Sequence, residues 1–162
     1  MRVSAKADYA VRAAAELAAA AETGRPLKRE QISTAQGIPS KFLETIMLEL
    51  KHAGIVKSQR GADGGYTLAR PASDISVADV IRAVDGPLAN VRGERVESVE
   101  YAGAARALRD VWVAVRASLR EVLESTTLDD LVQDKLPERV IELTKQPEAW
   151  ISLNRRRRPR ER

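Results

Sequence analysis

Apolar residues recur at helical spacing over residues 9–21, and this pattern predicts a first helix. Ser4 is placed to cap its beginning and Gly24 and Pro26 to end it, so the helix is predicted over residues 5–22. Most of the face predicted to be buried is alanine, which lets a neighbouring helix approach closely. The members of this face are Tyr9, Ala10, Ala13, Ala14, Leu17, Ala18 and Ala21.

Two more helical patterns cover residues 28–35 and 40–53, and Gly37-Ile38-Pro39 separates them. Helices joined by a short turn that contains glycine form a helix-turn-helix unit, whose second helix can enter the major groove of DNA. Any small helical hairpin shares this pattern, so both interpretations stay open on these residues alone. The positions predicted to face inward are Leu27, Ile32, Ala35, Leu43, Ile46, Met47, Leu50 and Ala53.

The glycine-rich segment RGADGGY joins two strand-like runs, residues 55–60 and 66–71, with residues 61–65 as the loop. A phosphate-binding loop would need a preceding strand, a following Lys-Ser or Lys-Thr pair and then a helix. Because a strand follows here, the segment is interpreted as a hairpin tip, and a helix-turn-helix unit followed by a hairpin is a winged helix. Arg60 could enter a minor groove, whose negative potential attracts arginine, or it could pair with Asp63 across the loop.

A fourth helix is predicted after the hairpin. Ser76 and Asp79 have the spacing of a capping box, and Gly86-Pro87 ends the helix. Its predicted buried face consists of Val77, Val80, Ile81 and Val84. Residues 88–104 show no periodicity and are predicted to form a loop.

The clearest helical pattern covers residues 106–124. Its apolar positions step by four and three, which is typical of a coiled-coil seam. A helix about 28 Å long is long for a domain of this size to cover, so we expect a partner helix. The alternative is that it packs wholly onto its own domain. The seam consists of Leu108, Trp112, Val115, Leu119 and Val122, and Val111 widens it.

The chain is predicted to be mainly α-helical with a small two-stranded β wing, arranged in three parts. Residues 1–72 form a winged helix-turn-helix domain for DNA binding. Residues 73–132 hold the connecting helix, the loop, the long dimerisation helix and a short last helix capped at Thr127. Residues 133–162 form a C-terminal extension, whose end, RRRRPRER, is expected to be disordered.

Composition limits the chemistry. The chain has no cysteine, which excludes disulfides, thiolate metal sites and iron–sulfur ligation by thiolates. His52 is its single histidine, and no convergent acid, base or nucleophile surrounds it in the sequence, so an enzyme is disfavoured. Because no run reaches about 18 apolar residues, we expect a soluble cytoplasmic protein without a membrane partner.

Charge is distributed unevenly along the chain. Residues 1–72 carry a net charge of +4, residues 73–154 carry −5 and residues 155–162 carry +5, within a total of +4. A basic N-terminal part beside an acidic middle fits a protein whose one end meets a polyanion. Ordinary scatter of charge would explain the same values.

Three stretches, in this order, resemble the Rrf2 family of bacterial transcription regulators along nearly the whole chain apart from the tail. They are SAKADYAVRAAAELA, QGIPSKFLETIMLELKHAGIVKSQRGADGGYTLARP and ISVADVIRAVDGP. The resemblance implies a homodimeric winged-helix protein that binds double-stranded promoter DNA as a repressor.

The resemblance also implies roles for individual residues. Ser40, Lys41 and Glu44 would approach bases and phosphates, and a carboxylate can accept a hydrogen bond from cytosine N4. Glu44 could instead pair with Lys41 or Lys51 as an ordinary surface charge. Contacts to phosphates or to the minor groove are expected from Tyr9, Gln36, Ser58, Arg60, Gly64 and Gly65.

Many members of this family hold an iron–sulfur cluster through three cysteines in the loop that corresponds to residues 88–104. This loop contains neither cysteine nor histidine, so no cluster and no other cofactor is expected. VDGPLANV and LRDVWVAVRASLREVLESTTLDDLV resemble the cluster-free branch typified by the repressor of cysteine metabolism. That likeness implies regulation by a cysteine-biosynthetic enzyme or by a small-molecule effector.

A different class of function is a helical interaction module or anti-repressor, which would dimerise and bind protein rather than DNA. Retention on DNA that weakens with salt would distinguish the two, since phosphate contacts release counterions.

Overall fold

The computed structural model describes residues 3–151, and its N-terminal part holds three helices. Helix α1 is Ala5–Ala20, α2 is Arg29–Gln36 and α3 is Ser40–His52. The side chain of Ser4 accepts a hydrogen bond from the Ala7 amide at 2.9 Å, which caps α1 as predicted. All three predicted helices are confirmed to within about two residues at each end.

The core of this part lies where α1, α2 and α3 meet. Ala10, Ala13 and Ala14 are fully buried on α1, so the backbones of its neighbours come close. The predicted inward residues Ile32, Leu43, Ile46, Met47 and Leu50 are also fully buried. The prediction of burial is wrong at three positions. Each of them lies at the C-terminal end of its helix, beyond the turns that pack against the neighbouring helices. They are Ala21, Ala35 and Ala53, all exposed.

The wing consists of strands β1, Val56–Gln59, and β2, Gly65–Leu68, which pair antiparallel. Two backbone hydrogen bonds, of 3.0 and 2.8 Å, join Leu27 to Tyr66 and attach the wing to the segment before α2. Gly65 therefore lies in a strand rather than in the predicted loop. With φ at 154°, it brings its backbone so close that a Cβ would lie 2.5 Å from the carbonyl oxygen of Leu27.

Helix α4, Val77–Asp85, begins with the predicted capping box, in which Ser76 and Asp79 exchange side-chain to backbone hydrogen bonds. The prediction that all of residues 88–104 form a loop is wrong. Two short strands pair there, β3, Asn90–Val91, and β4, Glu94–Arg95. Arg92 and Gly93 between them have φ of 56° and 84°, the two positive values that a type I′ hairpin turn requires.

The remaining helices are α5, Leu108–Ser125, α6, Leu128–Val132, and α7, Glu138–Thr144. Thr127 caps α6 as predicted, but α6 is not the last helix, because α7 follows it. Within residues 3–151, no helix is both long and apolar enough to cross a membrane. The predicted disordered tail, residues 155–162, lies outside the described residues.

Replacing Gly65 by alanine is expected to weaken the fold through collision with the Leu27 carbonyl. Gly61→Ala is the matched control, since Gly61 also has a positive φ, of 108°, but has no atom within 4 Å of a built Cβ. Backbone strain of this kind costs about 1–3 kcal/mol, and only Gly65→Ala adds the collision. Urea unfolding should therefore show a larger loss of unfolding free energy for Gly65→Ala. Equal losses in both variants would contradict the close approach of Gly65 to the Leu27 carbonyl.

Candidate nucleic-acid interface

Helix α3 has two sharply different sides. Four of its apolar residues, at positions 43, 46, 47 and 50, are buried without remaining exposure, and the opposite side faces solvent. That side carries basic, acidic and apolar groups together rather than the uniform charge of a solubilising surface. The exposed residues of α3 that line it are Ser40, Lys41, Glu44, Thr45, Leu48, Lys51 and His52.

Contacts with α1 fix the position of α3. Lys6 Nζ lies 3.1 Å from the Glu49 carboxylate. The rings of Tyr9 and Phe42 meet edge to face, with centroids 5.9 Å apart, and the Arg12 guanidinium lies 5.5 Å from the Tyr9 ring centroid. Tyr9, predicted to contact DNA, thus also braces the helix predicted to read it.

Gln36, another predicted DNA contact, ends α2 beside α1. Its side-chain oxygen accepts a hydrogen bond from Arg12 Nε at 3.0 Å. Its side-chain nitrogen donates to Glu16, and its backbone carbonyl accepts from a second nitrogen of Arg12. The amide is therefore oriented by α1, and its role towards DNA stays a prediction.

Glu44 does not pair with Lys41 or Lys51, the alternatives that its sequence position offered. Arg29 Nη1 lies 3.4 Å from the Glu44 carboxylate, and Arg29 Nη2 lies 3.4 Å from Glu30. A hydrogen bond from its own backbone amide, with the Arg29 charge beside it, lowers the pKa of Glu30. The Glu44 side chain keeps 68% of its surface exposed, so Arg29 positions the carboxylate while leaving it open to a ligand.

A groove of about 410 Å³ separates α3 from the wing. Ser58 on β1 and Tyr66 on β2 are cross-strand partners and line one wall, and Leu48 lies on the opposite wall. Lys51 Nζ donates a hydrogen bond to Ser58 Oγ at 2.8 Å and so bridges the walls. Because side chains alternate along a strand, Lys57 faces away from this groove.

The wing tip, residues 60–64, presents Arg60 to solvent. Among residues 3–151, no carboxylate lies within ion-pair distance of Arg60, so the alternative pairing with Asp63 is wrong. Gly64 closes the tip, since its amide donates to the Gly61 carbonyl at 3.0 Å and a Cβ on it would lie 2.4 Å from the Gln59 carbonyl. The predicted DNA roles of Gly64 and Gly65 stay predictions beside these structural ones.

Helix α5 is held to its own domain along one side. Trp112 Nε1 donates to the Tyr101 hydroxyl at 3.1 Å, and Arg116 pairs with Glu97. A hydrogen bond from its own backbone amide, then one from Arg116, lowers the pKa of Glu97. Hydrogen bonds from Arg82 of α4 and then from Arg120 lower the pKa of Glu124 in the same way.

The other side of α5 is uncovered. In α5, every residue of which is described, no side chain is buried. Val111 is 50% exposed, and the other predicted seam residues are half-buried. The alternative that α5 packs wholly onto its own domain is therefore wrong for this chain.

A protein-family model described as Rrf2, iron-dependent transcriptional regulator, matches residues 3–134. A protein of Mycobacterium tuberculosis strain H37Rv, named as an HTH-type transcriptional regulator, is 52% identical over 143 residues, or 88% of each chain. The HTH-type transcriptional regulator CymR of Bacillus subtilis strain 168 is 37% identical over 131 residues, which cover 81% of this chain and 89% of CymR.

Solved structures agree with these relatives. The structure of CymR, the global cysteine regulator of B. subtilis, has a TM-score of 0.70 at 33% identity and covers 83% of this chain and 98% of CymR. The structure of T. potens IscR has a TM-score of 0.68 at 36% identity and covers 83% of this chain and 88% of IscR. The winged-helix fold predicted from the sequence is confirmed.

The description of the family model implies iron, and the residues of this chain do not fit it. The chain has no cysteine, and soft thiolates are the ligands that iron–sulfur clusters require. Within residues 3–151, no three histidine, aspartate or glutamate side chains gather closely enough to hold a metal ion.

The family model spans most of the chain, and relatives above 30% identity cover four fifths of it or more. The chain belongs to the Rrf2 family and is a DNA-binding transcription regulator.

Proposed function

We propose that this protein is a sequence-specific repressor that binds promoter DNA as a homodimer and works without an iron–sulfur cluster. The observation that carries the proposal is the single surface on which the open side of α3, the groove bridged by Lys51 and Ser58, and Arg60 follow one another. Likeness to CymR, the global cysteine regulator of B. subtilis, supports a link to cysteine metabolism, and the proposal includes control by a cysteine-biosynthetic enzyme or a small-molecule effector.

The order of these features matches the order of surfaces on a DNA duplex. In this arrangement α3 lies in the major groove of DNA and Arg60 lies in the adjacent minor groove. One sugar-phosphate strand separates these two DNA grooves, and it would pass through the protein groove between α3 and the wing. Lys51 and Ser58 are then placed to donate to its phosphates, which positions the protein without reading sequence. Ser40, Lys41 and Glu44 face the base edges, where sequence is read.

Dimerisation through α5 supplies the second half of the interface. An open apolar cavity of about 610 Å³ lies between α5 and the α4 side of the chain, and its lining includes Ile81, Leu88, Trp112 and Leu119. A second copy of α5 would cover this surface with the same kind of residues, as a two-fold symmetric interface requires. Two recognition helices would then read half-sites about one helical turn apart.

Leu119→Asp is expected to convert the dimer into a monomer, because it places a charge in the middle of the apolar seam. Ala117→Asp is the matched control, since Ala117 is exposed and lies on the opposite side of α5. Light scattering should give the monomer mass for Leu119→Asp and the dimer mass for Ala117→Asp, and only Leu119→Asp should lose tight binding to DNA. A dimeric Leu119→Asp would show that the seam is misassigned.

Lys51→Met tests the crossing of the phosphate strand, with Lys57→Met as its control on the other face of β1. Each phosphate neutralised by a cation contributes about −0.9 to the slope of log affinity against log salt concentration. Lys51→Met should therefore flatten the slope by about one such contribution and weaken specific and random duplexes alike, while Lys57→Met leaves the slope nearly unchanged. If the two variants change the slope equally, the groove is not the path of the strand.

Arg60→Ala is expected to cost roughly 1–3 kcal/mol of binding free energy on the specific site and less on random DNA, because Arg60 is held in one place on the hairpin. Removal of residues 155–162 should instead weaken binding to both DNAs nearly equally, because we expect their six arginines to bind phosphates without sequence specificity. The specific site comes from selection of bound duplexes from a random pool.

Titrations of both DNAs across a salt series distinguish the two changes. Failure of the intact protein to enrich any sequence would overturn the proposed function itself. Equal loss on specific and random DNA for Arg60→Ala would reduce the wing tip to a structural turn.

A further inference from the structure

The open side of α3 carries an apolar residue that the fold does not use. Leu48 is 53% exposed, whereas the inward-facing apolar residues of the same helix are completely buried. Phe42, the other exposed apolar residue of α3, is accounted for, because its ring packs edge to face against Tyr9. Leu48 lies at the border between the reading side of α3 and the groove beside the wing.

Its neighbours show which ligand this leucine fits. Glu44 lies one helical turn before Leu48 and Thr45 lies three residues before it, so all three occupy adjoining positions on the helix surface. Lys41 and Lys51 stand on either side along the helix, and charges of this sign suit a polyanion better than an apolar protein surface. Leu48 is thus an apolar spot within a site whose surroundings complement DNA.

Only one base presents an apolar group in the major groove, and that group is the C5-methyl of thymine. From the exposure and placement of Leu48 we propose that it reads thymine, through contact between its side chain and that methyl group, with the methyl of Thr45 beside it. This inference rests on the proposed function, and it adds a specificity-determining residue that sequence reasoning passed over.

The proposal assigns separate tasks to neighbouring residues. The Glu44 carboxylate, held by Arg29, accepts hydrogen bonds from exocyclic amino groups of cytosine or adenine, whereas Leu48 recognises the base that lacks such a group and carries a methyl. Lys51 lies one helical turn after Leu48, on the side of α3 nearer to β1, and donates a hydrogen bond to Ser58. It is therefore not placed to contact the same base as Leu48. The thymine is therefore expected close to the amino-bearing base that Glu44 contacts.

The test removes the methyl group and leaves every hydrogen-bonding group in place. A duplex selected by the intact protein is compared with duplexes in which each thymine in turn is replaced by deoxyuridine. Burial of one CH₂-sized group contributes about 0.8 kcal/mol, so replacement at the contacted thymine should weaken binding about fourfold. In Leu48→Ala, which removes an exposed side chain and should fold normally, the same replacement should change affinity by less than about 1.5-fold.

Ile141→Ala is the control, because it alters an exposed apolar residue of α7 outside the proposed reading surface and should keep the full sensitivity to deoxyuridine. Leu48→Met should keep most of it as well, since methionine preserves an apolar contact. The inference is overturned if the selected site has no invariant thymine, if no replacement by deoxyuridine weakens the intact protein, or if Leu48→Ala remains as sensitive as the intact protein. In each of these outcomes sequence-specific binding persists, so the proposed function stands, whereas loss of all selection by the intact protein would overturn both.

Discussion

Close packing of α1 is the constraint on which the rest of this structure depends. Its buried alanines, of which Ala10, Ala13 and Ala14 show no exposure, let several elements approach one helix at short range. A larger side chain there would overpack the contact, which typically costs about 1–3 kcal/mol, and would displace α3. Since α1 also holds α3 through Lys6 and Tyr9, the orientation of the reading helix follows from the packing of α1.

The winged domain and helix α5 differ in how much apolar surface they bury. The winged domain closes its core within one chain, with Leu43, Ile46 and Leu50 fully buried. Helix α5 buries no side chain and keeps an apolar strip beside an apolar cavity. A hydrophobic strip of this length is unfavourable in water, so we expect the proposed association of two chains to stabilise α5. DNA affinity would then depend on α5, although α5 lies outside the reading surface.

The sequence predicted correctly those helices and strands that depend on residues close together in the chain. The caps at Ser4, Ser76 and Thr127 and the periodicity of α1, α3 and α5 were sufficient to place these helices, and the wing followed from two runs around glycines. The hairpin of β3 and β4 was missed, because strands of two residues show no alternation and Arg92 occupies a positive φ where asparagine or glycine is usual. Helix α7 was missed for a similar reason, since its single amphipathic stretch is too short to stand out.

Contacts between distant residues explain most of what the sequence did not reveal at the site. Glu44 was expected beside lysines of its own helix, but Arg29, fifteen positions earlier, reaches it only because α2 folds against α3. The bridge from Lys51 to Ser58 likewise depends on how the hairpin docks. The exposure of Leu48 could have been predicted from the sequence, because this apolar residue lies outside the inward-facing set of α3. Its polar and charged neighbours on α3 then point to DNA as its ligand.

Direct side-chain bonds hold the segment in which the family resemblance would place cluster ligands. Glu97 and Tyr101 of this segment bond to Arg116 and Trp112 of α5, and Val96 and Val99 of the same segment are buried. A hydrogen bond from its own backbone amide and then one from Arg116 lower the pKa of Glu97, so these two contacts favour the folded chain at neutral pH and are lost as pH falls through the lowered pKa. Because these protein groups attach the segment to α5, we expect a signal that reaches α5 through this segment to act by altering these contacts.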